Sequence, residues 1–323
     1  MMMLGHSLEM IDTPDRRSQM TVLGQGASEK AGATMRAFDR LEWGMLGLGS
    51  VLSGFACTWI AGLFGIPREP HFSASLLLGG APITAVVVAI IAIGFSMLIG
   101  SLTAWFVERE AGLFCCCLGI AALGVRCGGI RPVLQYAFGP AIFIVLALEA
   151  IVLSAILIGG WIGIRRVLDR VSFQKAASTR FVVPTEKTDA TLQEKFSTLG
   201  VHMLAMAIVE LILIQTDAKA QAMAGVFIAA YVGALAAYTF TPLVESIWYW
   251  AAPMAVAFIS YIVAYFSGGA TSTGDLQGWT AGLVRATPLD YAGMGTAGAL
   301  LGYWSIRRWT QPDETTDEET AAA

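Results

Sequence analysis

The sequence is short of charge: Asp, Glu, Lys and Arg make up 14% of its 323 residues, against about 25% in an average soluble domain. A soluble fold covers its surface with ionisable side chains, and here they are confined to a few short stretches, so an ordinary soluble globular protein is excluded. A basic excess is missing too. Twenty Lys and Arg stand against 24 Asp and Glu, a net charge of -4, which leaves nucleic-acid binding without its electrostatic footprint. The common catalytic signatures are also absent, with no GxxxxGK[ST] nucleotide loop, no HExxH zinc motif and no GxSxG nucleophile elbow. Ser154 and Ser260 lie in apolar runs with no histidine at comparable depth, since His202 is the one histidine within such a run. The expectation is therefore a protein that is not an enzyme, with no cofactor and no metal. The first residues, Met1 to Glu9, carry an acid where a signal peptide needs a basic region, and no apolar stretch follows until Gly44. The first membrane helix is expected to act as an uncleaved targeting signal.

Cysteine is present, but not in a pattern that staples or ligates. Cys57, Cys115, Cys116, Cys117 and Cys127 lie in or beside apolar runs, and none sits in a polar loop. Three consecutive helical residues point about 100° apart, so Cys115, Cys116 and Cys117 cannot converge on one metal. Apolar packing is the expectation for them, with S-palmitoylation near a membrane face as the alternative.

What the chain has in quantity is apolar length. Hydrophobic residues make up 56%, the mean hydropathy is +0.65, and long stretches lack any ionisable residue. A membrane span needs about 20 mainly apolar residues to cross about 30 Å of hydrocarbon. The runs that qualify are Gly44 to Ile66, Ala81 to Phe106, Phe138 to Gly163, Leu199 to Thr216, Ala220 to Phe240 and Ile247 to Phe266. Phe72 to Gly80 reads as an interfacial turn, and Thr241 to Ser246 as a sharp turn with Pro242 near its start. Two segments are thin: Ala111 to Val125, and the glycine-rich Tyr291 to Trp304.

Charge asymmetry bears on the first of these. The N-terminal region (Arg16, Arg17, Lys30, Arg36, Arg40) and the segment Arg165 to Lys195 are the most basic loops, and the positive-inside rule places both in the cytoplasm. They fall on one side only if Ala111 to Val125 crosses as well. The expected fold is an all-α, polytopic transmembrane helical bundle of about eight spans, with six or seven as alternatives and no sizeable soluble domain. Residues 1–43 are expected to form a cytoplasmic N-terminal region, partly disordered, with an interfacial amphipathic helix over Ser28 to Trp43, and residues 44–305 the transmembrane domain, with a basic cytoplasmic loop at 164–198. Residues 306–323 form an acidic cytoplasmic tail. The location this implies is the cytoplasmic (inner) membrane, with both termini inside.

Ionisable groups inside spans are expensive and are functional candidates by default. Glu149 and Glu210 interrupt otherwise apolar helices that neighbour each other in sequence, and counted along those helices both fall at mid-membrane, where they can share one polar cavity. His202 precedes Glu210 by eight residues, about 80° around the helix, so the two do not form a metal face. The structural alternative is that each acid is hydrogen-bonded across helices as packing glue. Small residues give a second pattern. Gly225, Ala229, Gly233 and Ala237 recur every four residues, and Gly159/Gly163 and Gly298/Gly302 are GxxxG pairs, spacings that let helices approach closely. The leading functional expectation is a structural or accessory membrane component. A proton-coupled small-solute or ion transporter using the carboxylates is the alternative, and a membrane-embedded enzyme comes last. The partners expected are the lipid bilayer and either a second copy or another membrane protein.

Overall fold

The structure, a computed structural model, describes residues 41–63, 75–78, 81–130, 140–172, 190–267 and 281–310, and among them every regular element is helical. The amphipathic segment before Leu41, the middle of the basic loop (173–189), the glycine-rich stretch 268–280 and the acidic tail from 311 lie outside the described residues. The chain divides into two units, Met1–Gly44 and Met45–Ala323. Of the first, only Leu41–Gly44 are described, and they are helical.

Helix α1 spans Leu41–Leu63, and α2 (Pro82–Phe106), α3 (Arg109–Arg126), α4 (Ala141–Ser172), α5 (Leu192–Leu213) and α6 (Lys219–Phe240) follow. Next come α7 (Ile247–Trp250) and α8 (Ala252–Ser267), which together make one apolar helix, then α9 (Ala281–Val284), α10 (Pro288–Asp290), a π-helical turn Tyr291–Gly295, and α11 (Thr296–Thr310). Local chemistry sets several of these starts. Pro82 opens α2 with its φ already helical and no N–H to leave unpaired. Thr191 and Glu194 open α5 with a reciprocal capping box, the Thr191 N–H donating to Glu194 Oε2 at 2.8 Å and the Glu194 N–H to Thr191 Oγ1 at 3.3 Å.

Among the described residues, six helices are long and apolar enough to cross a membrane: Leu41–Leu63, Pro82–Phe106, Ala141–Leu168, Leu192–Leu213, Lys219–Phe240 and Ile247–Ser267. The expectation of about eight is corrected here. Both thin segments are helical, but α3 has 18 residues bounded by Arg109, Glu110 and Arg126, and α11 has 15 and ends through Arg307 and Arg308. They are buried instead. Eleven of the 18 residues of α3 are buried, including eight of the eleven from Leu113 to Leu123, and Ala297, Ala299, Leu300 and Tyr303 of α11 are at 0% exposure. Apart from Val125 and Trp309, near the ends of α3 and α11, the large exposed apolar side chains belong to the six long helices, among them Leu98 at 68%, Val51 at 69% and Phe266 at 79%. Such area is far more than a water-facing surface carries.

Helix directions follow from paired contacts. Ser50 meets Cys115 and Thr58 meets Arg126, so α1 and α3 run parallel, whereas Gly100 lies on Gly112, so α2 returns antiparallel to α3. Phe114 stacks near Trp304 while Gly293 lies on Ala121, which makes the Pro288–Thr310 segment antiparallel to α3. One end of the bundle therefore gathers Glu110, Lys195, Glu245 and Ser246, and the other gathers Arg126, Asp217, Lys219, Arg285 and Asp290. We call these the Glu245 end and the Asp290 end.

Two boundaries differ from expectation in ways that matter for the site. Helix α4 continues to Ser172, so Arg165 and Arg166 prolong it instead of opening a loop. Helix α5 begins at Leu192, seven residues ahead of the apolar run, because the capping box and not hydropathy sets its start.

Candidate functional site

The three buried carboxyl groups, Glu149, Glu210 and Asp290, gather toward the Asp290 end. Thr287 and Asp290 form a second capping box at the start of α10: the Thr287 N–H donates to Asp290 Oδ2 at 2.8 Å and its hydroxyl to the same oxygen at 2.9 Å. Lys219, the first residue of α6, reaches across to the same pair, donating to Asp290 Oδ2 at 2.9 Å and to Thr287 Oγ1 at 3.2 Å. Its Nζ also lies 2.7 Å from Asp290 Oδ1, at an angle outside hydrogen-bond geometry. A cation in the first turn of a helix opposes the helix dipole, and the buried Asp290 carboxylate compensates. Closer to the surface, Arg285 Nε donates to Asp217 Oδ1 at 3.0 Å and Nη1 to the Ile214 carbonyl at 2.8 Å, closing the C-terminus of α5. Arg126 donates to the carbonyl of Thr58.

Glu210 meets this layer from α5. Because α5 runs from Leu192 to Leu213, Glu210 is three residues from its C-terminal end, about 4.5 Å, and not at its middle as the sequence suggested. It is still at 0% exposure, because α9 and the π-helical turn pack beside it: Gly282 lies on Leu211, and the Tyr291 hydroxyl is 3.0 Å from Glu210 Oε2 and 2.6 Å from the Leu283 carbonyl oxygen. The π turn fits because Gly293 has no side chain; a Cβ there would stand 2.5 Å from the Ala121 nitrogen of α3. π-helical turns of this kind are frequent at functional sites.

Glu149 is reached from another direction. The turn Ser75–Leu78 brings Ser75, 2% exposed, against α4, where its hydroxyl donates to Glu149 Oε2 and the Leu77 N–H adds a 3.3 Å contact to the same oxygen. The described part of Phe72 to Gly80 is thus a turn, as expected, but a buried one with its serine and N–H groups turned onto the acid. Tyr261 of α8 donates to the Ala286 carbonyl at 2.7 Å and lies within electrostatic reach of Asp290, Glu149 and Glu210 together. Oε1 of Glu149 and Oε1 of Glu210 have no hydrogen-bond partner among the described residues.

His202 is not part of this group. It is fully buried two helical turns from Glu210, against Gly233, with the Ala230 backbone near its ring but outside hydrogen-bond geometry. The remaining singled-out positions are at helix contacts. A Cβ on Gly225 would stand 2.5 Å from Ile214 Cγ1, one on Gly302 2.5 Å from the Tyr231 carbonyl oxygen, and one on Gly298 would meet the Phe227 carbonyl. Ala229 and Ala237 are at 0% exposure. Gly159 and Gly163, by contrast, have nothing within 4 Å. All five cysteines are free and buried, Cys115, Cys116 and Cys117 at 0% exposure, which removes the access that S-palmitoylation would need. No group of three or more His, Cys, Asp or Glu suited to a metal ion occurs among the described residues.

Sequence reasoning missed Asp290, Lys219, Tyr291, Tyr261 and Ser75. One signal was available: Thr287-Pro-Leu-Asp290 is a capping-box pattern ahead of an apolar run. The partners across helices carry no local signal.

Among the described residues, these features define a helical bundle with six membrane-length apolar helices and a group of buried carboxyls toward one end, as fits a membrane protein. No known protein family, no curated protein and no solved structure matches the chain.

Proposed function

We propose that the chain is a multi-pass integral membrane protein serving as a structural or accessory component of its membrane. The carrying observation is where its helices come closest. Gly100 and Gly112 bring the α2 and α3 backbones together, and Gly298 and Gly302 bring α11 onto the carbonyls of Phe227 and Tyr231 in α6. Contacts of that kind hold a bundle rigid, since without a hydrophobic drive between helices it is close packing that binds them. The ionisable groups at the Asp290 end support the same reading: Lys219 ties α6 to α10, Arg285 ties the segment before α10 to the end of α5, and Arg126 ties α3 to α1. In this role the Glu245 end faces the cytoplasm of a cell with this protein in its inner membrane, and both termini lie on that side. The basic residues support this orientation: Arg109, Arg165, Arg166, Lys195 and Arg307 lie toward the Glu245 end, against Arg126, Lys219 and Arg285 at the other.

Substitution separates packing from chemistry. Gly302→Leu and Gly233→Leu are expected to abolish a monodisperse, folded species after detergent extraction, whereas Glu149→Gln and Glu210→Gln preserve it. Normal assembly of both leucine variants would sink the structural reading.

A further inference from the structure

Buried carboxyl groups outnumber the cations that face them. Glu149 is 1% exposed, and Glu210 and Asp290 are at 0%. Asp290 holds Lys219. Arg285 is committed to Asp217 and the Ile214 carbonyl, and Arg126 to the Thr58 carbonyl. The groups that face Glu149 are Ser75, the Leu77 N–H, Cys127 and Tyr261, with Lys219 and its partner Asp290 beyond; those that face Glu210 are Tyr291 and Tyr261. No cation among the described residues contacts either glutamate, and an unpaired carboxylate in such surroundings is heavily penalised.

The hydrogen-bond inventory shows how the charge is avoided. Tyr291 has one hydroxyl proton and two oxygens in reach, the Leu283 carbonyl at 2.6 Å and Glu210 Oε2 at 3.0 Å. Both contacts are satisfied together only if the shorter one takes the proton, because a carbonyl can only accept whereas a carboxyl group can also donate. The longer contact is then satisfied only if Glu210 donates to the phenol oxygen, which requires a carboxylic acid. Glu149 Oε2 already accepts from Ser75 and Leu77, and donors aimed at an oxygen repel a metal cation, so a proton on the unpartnered Oε1 is the charge-neutral solution.

We infer that Glu149 and Glu210 are a pair of proton-binding sites, loaded in this conformation, that exchange with water at the Asp290 end. The inference goes beyond the structural role proposed above. Each event is an acid–base step: a carboxylic O–H bond breaks, the proton passes to water, and a carboxylate remains. The entry layer is in place, because Asp217 (31% exposed), Arg285 (19%) and Lys219 (17%) reach the surface while Asp290 and Tyr291 continue inward from them.

Infrared spectroscopy of the full chain in liposomes tests this. At neutral pH the wild type is expected to show a carboxylic-acid C=O band that shifts on transfer to D2O. The band should lose part of its intensity in Glu149→Gln, part in Glu210→Gln, and none in Asp290→Asn, whose carboxylate is ion-paired. Absence of the acid band, its persistence in both glutamine variants, its loss in Asp290→Asn, or a band that never shifts in D2O would each overturn the inference. Should a variant fail to fold, the wild-type spectra in H2O and D2O still decide between a loaded exchangeable site and none.

Discussion

Helices α2 and α3 follow one another in the chain and lie side by side, yet they are built from different residues. α2 turns Ile83, Val87, Ile90, Leu98 and Leu102 outward, whereas the one large apolar side chain that α3 exposes is Val125. α3 is built mostly of alanine, glycine, cysteine and leucine, carries charge at both ends, and buries more of itself. The most apolar helix is thus not the most central one. Lipid chains are as apolar as leucine, so hydrophobicity marks the faces that meet lipid, and small residues mark the faces that meet other helices. α11 repeats the lesson through Gly298 and Gly302.

The strongest way to break this contrast is to add bulk on each side of it. Gly302→Leu must displace the Tyr231 backbone and is expected to cost about 3 kcal/mol or more. Gly163→Leu, on the open face of α4 with nothing within 4 Å, should change stability by less than about 0.5 kcal/mol. Thermal unfolding of the two variants in one detergent makes the comparison, and equal losses would remove the distinction between inner and outer glycines. Next in size is the ion pair. Asp290→Asn leaves a mostly buried Lys219 without its carboxylate and is expected to cost about 2 to 3 kcal/mol, with Lys219→Met restoring part of that loss in the double variant, as a thermodynamic cycle would show. Ser75→Ala removes the hydroxyl from Glu149 and should cost about 1 kcal/mol.

The smallest effect lies at the opposite end. Glu245 is held below the ordinary carboxylate value of 4.5 by the Trp248 indole N–H and, after it, by Lys195. A carboxyl lowered on folding stabilises above its unfolded value and loses that contribution as the pH falls through its folded value. A slight loss of stability below about pH 4.5, absent in Glu245→Gln, is the expected result. Acid titrations of the two proteins compare them, and an identical pH dependence would show that the pair is mere surface decoration.

Much of the outer layer was legible in the sequence. Gly44, Ala81, Ala220 and Ile247 lie within three residues of the starts of four of the long helices, because a span that meets lipid must be continuously apolar. The inner layer was harder to read. Ala111 to Val125 and Tyr291 to Trp304 were recognised as thin segments, but counting them as spans assumed that they meet lipid, and the structure shields them. The depth of Glu210 was misjudged because α5 lies earlier in the chain than its hydropathy signal at both ends: the Thr191–Glu194 box, a local hydrogen-bond device, starts it ahead of Leu199, and it stops at Leu213, short of Thr216. The link of Lys219 to Asp290, and that of Ser75 to Glu149, join residues separated by more than 70 positions, and no local pattern reports such a pairing. The GxxxG at Gly159 and Gly163 shows the converse limit: the spacing permits a contact without saying that one is made.

The division into lipid-facing and shielded helices can be examined without altering the protein. A photoactivated, lipid-soluble carbene probe, applied to the wild type in liposomes and mapped by peptide mass spectrometry, should modify the outward faces of α1, α2, α4, α5, α6 and α8. It should spare Leu113 to Leu123 and Ala297 to Tyr303. Modification of those two segments at the level seen around Leu98 would show that lipid reaches them, and the shielded pair of helices would have to be given up.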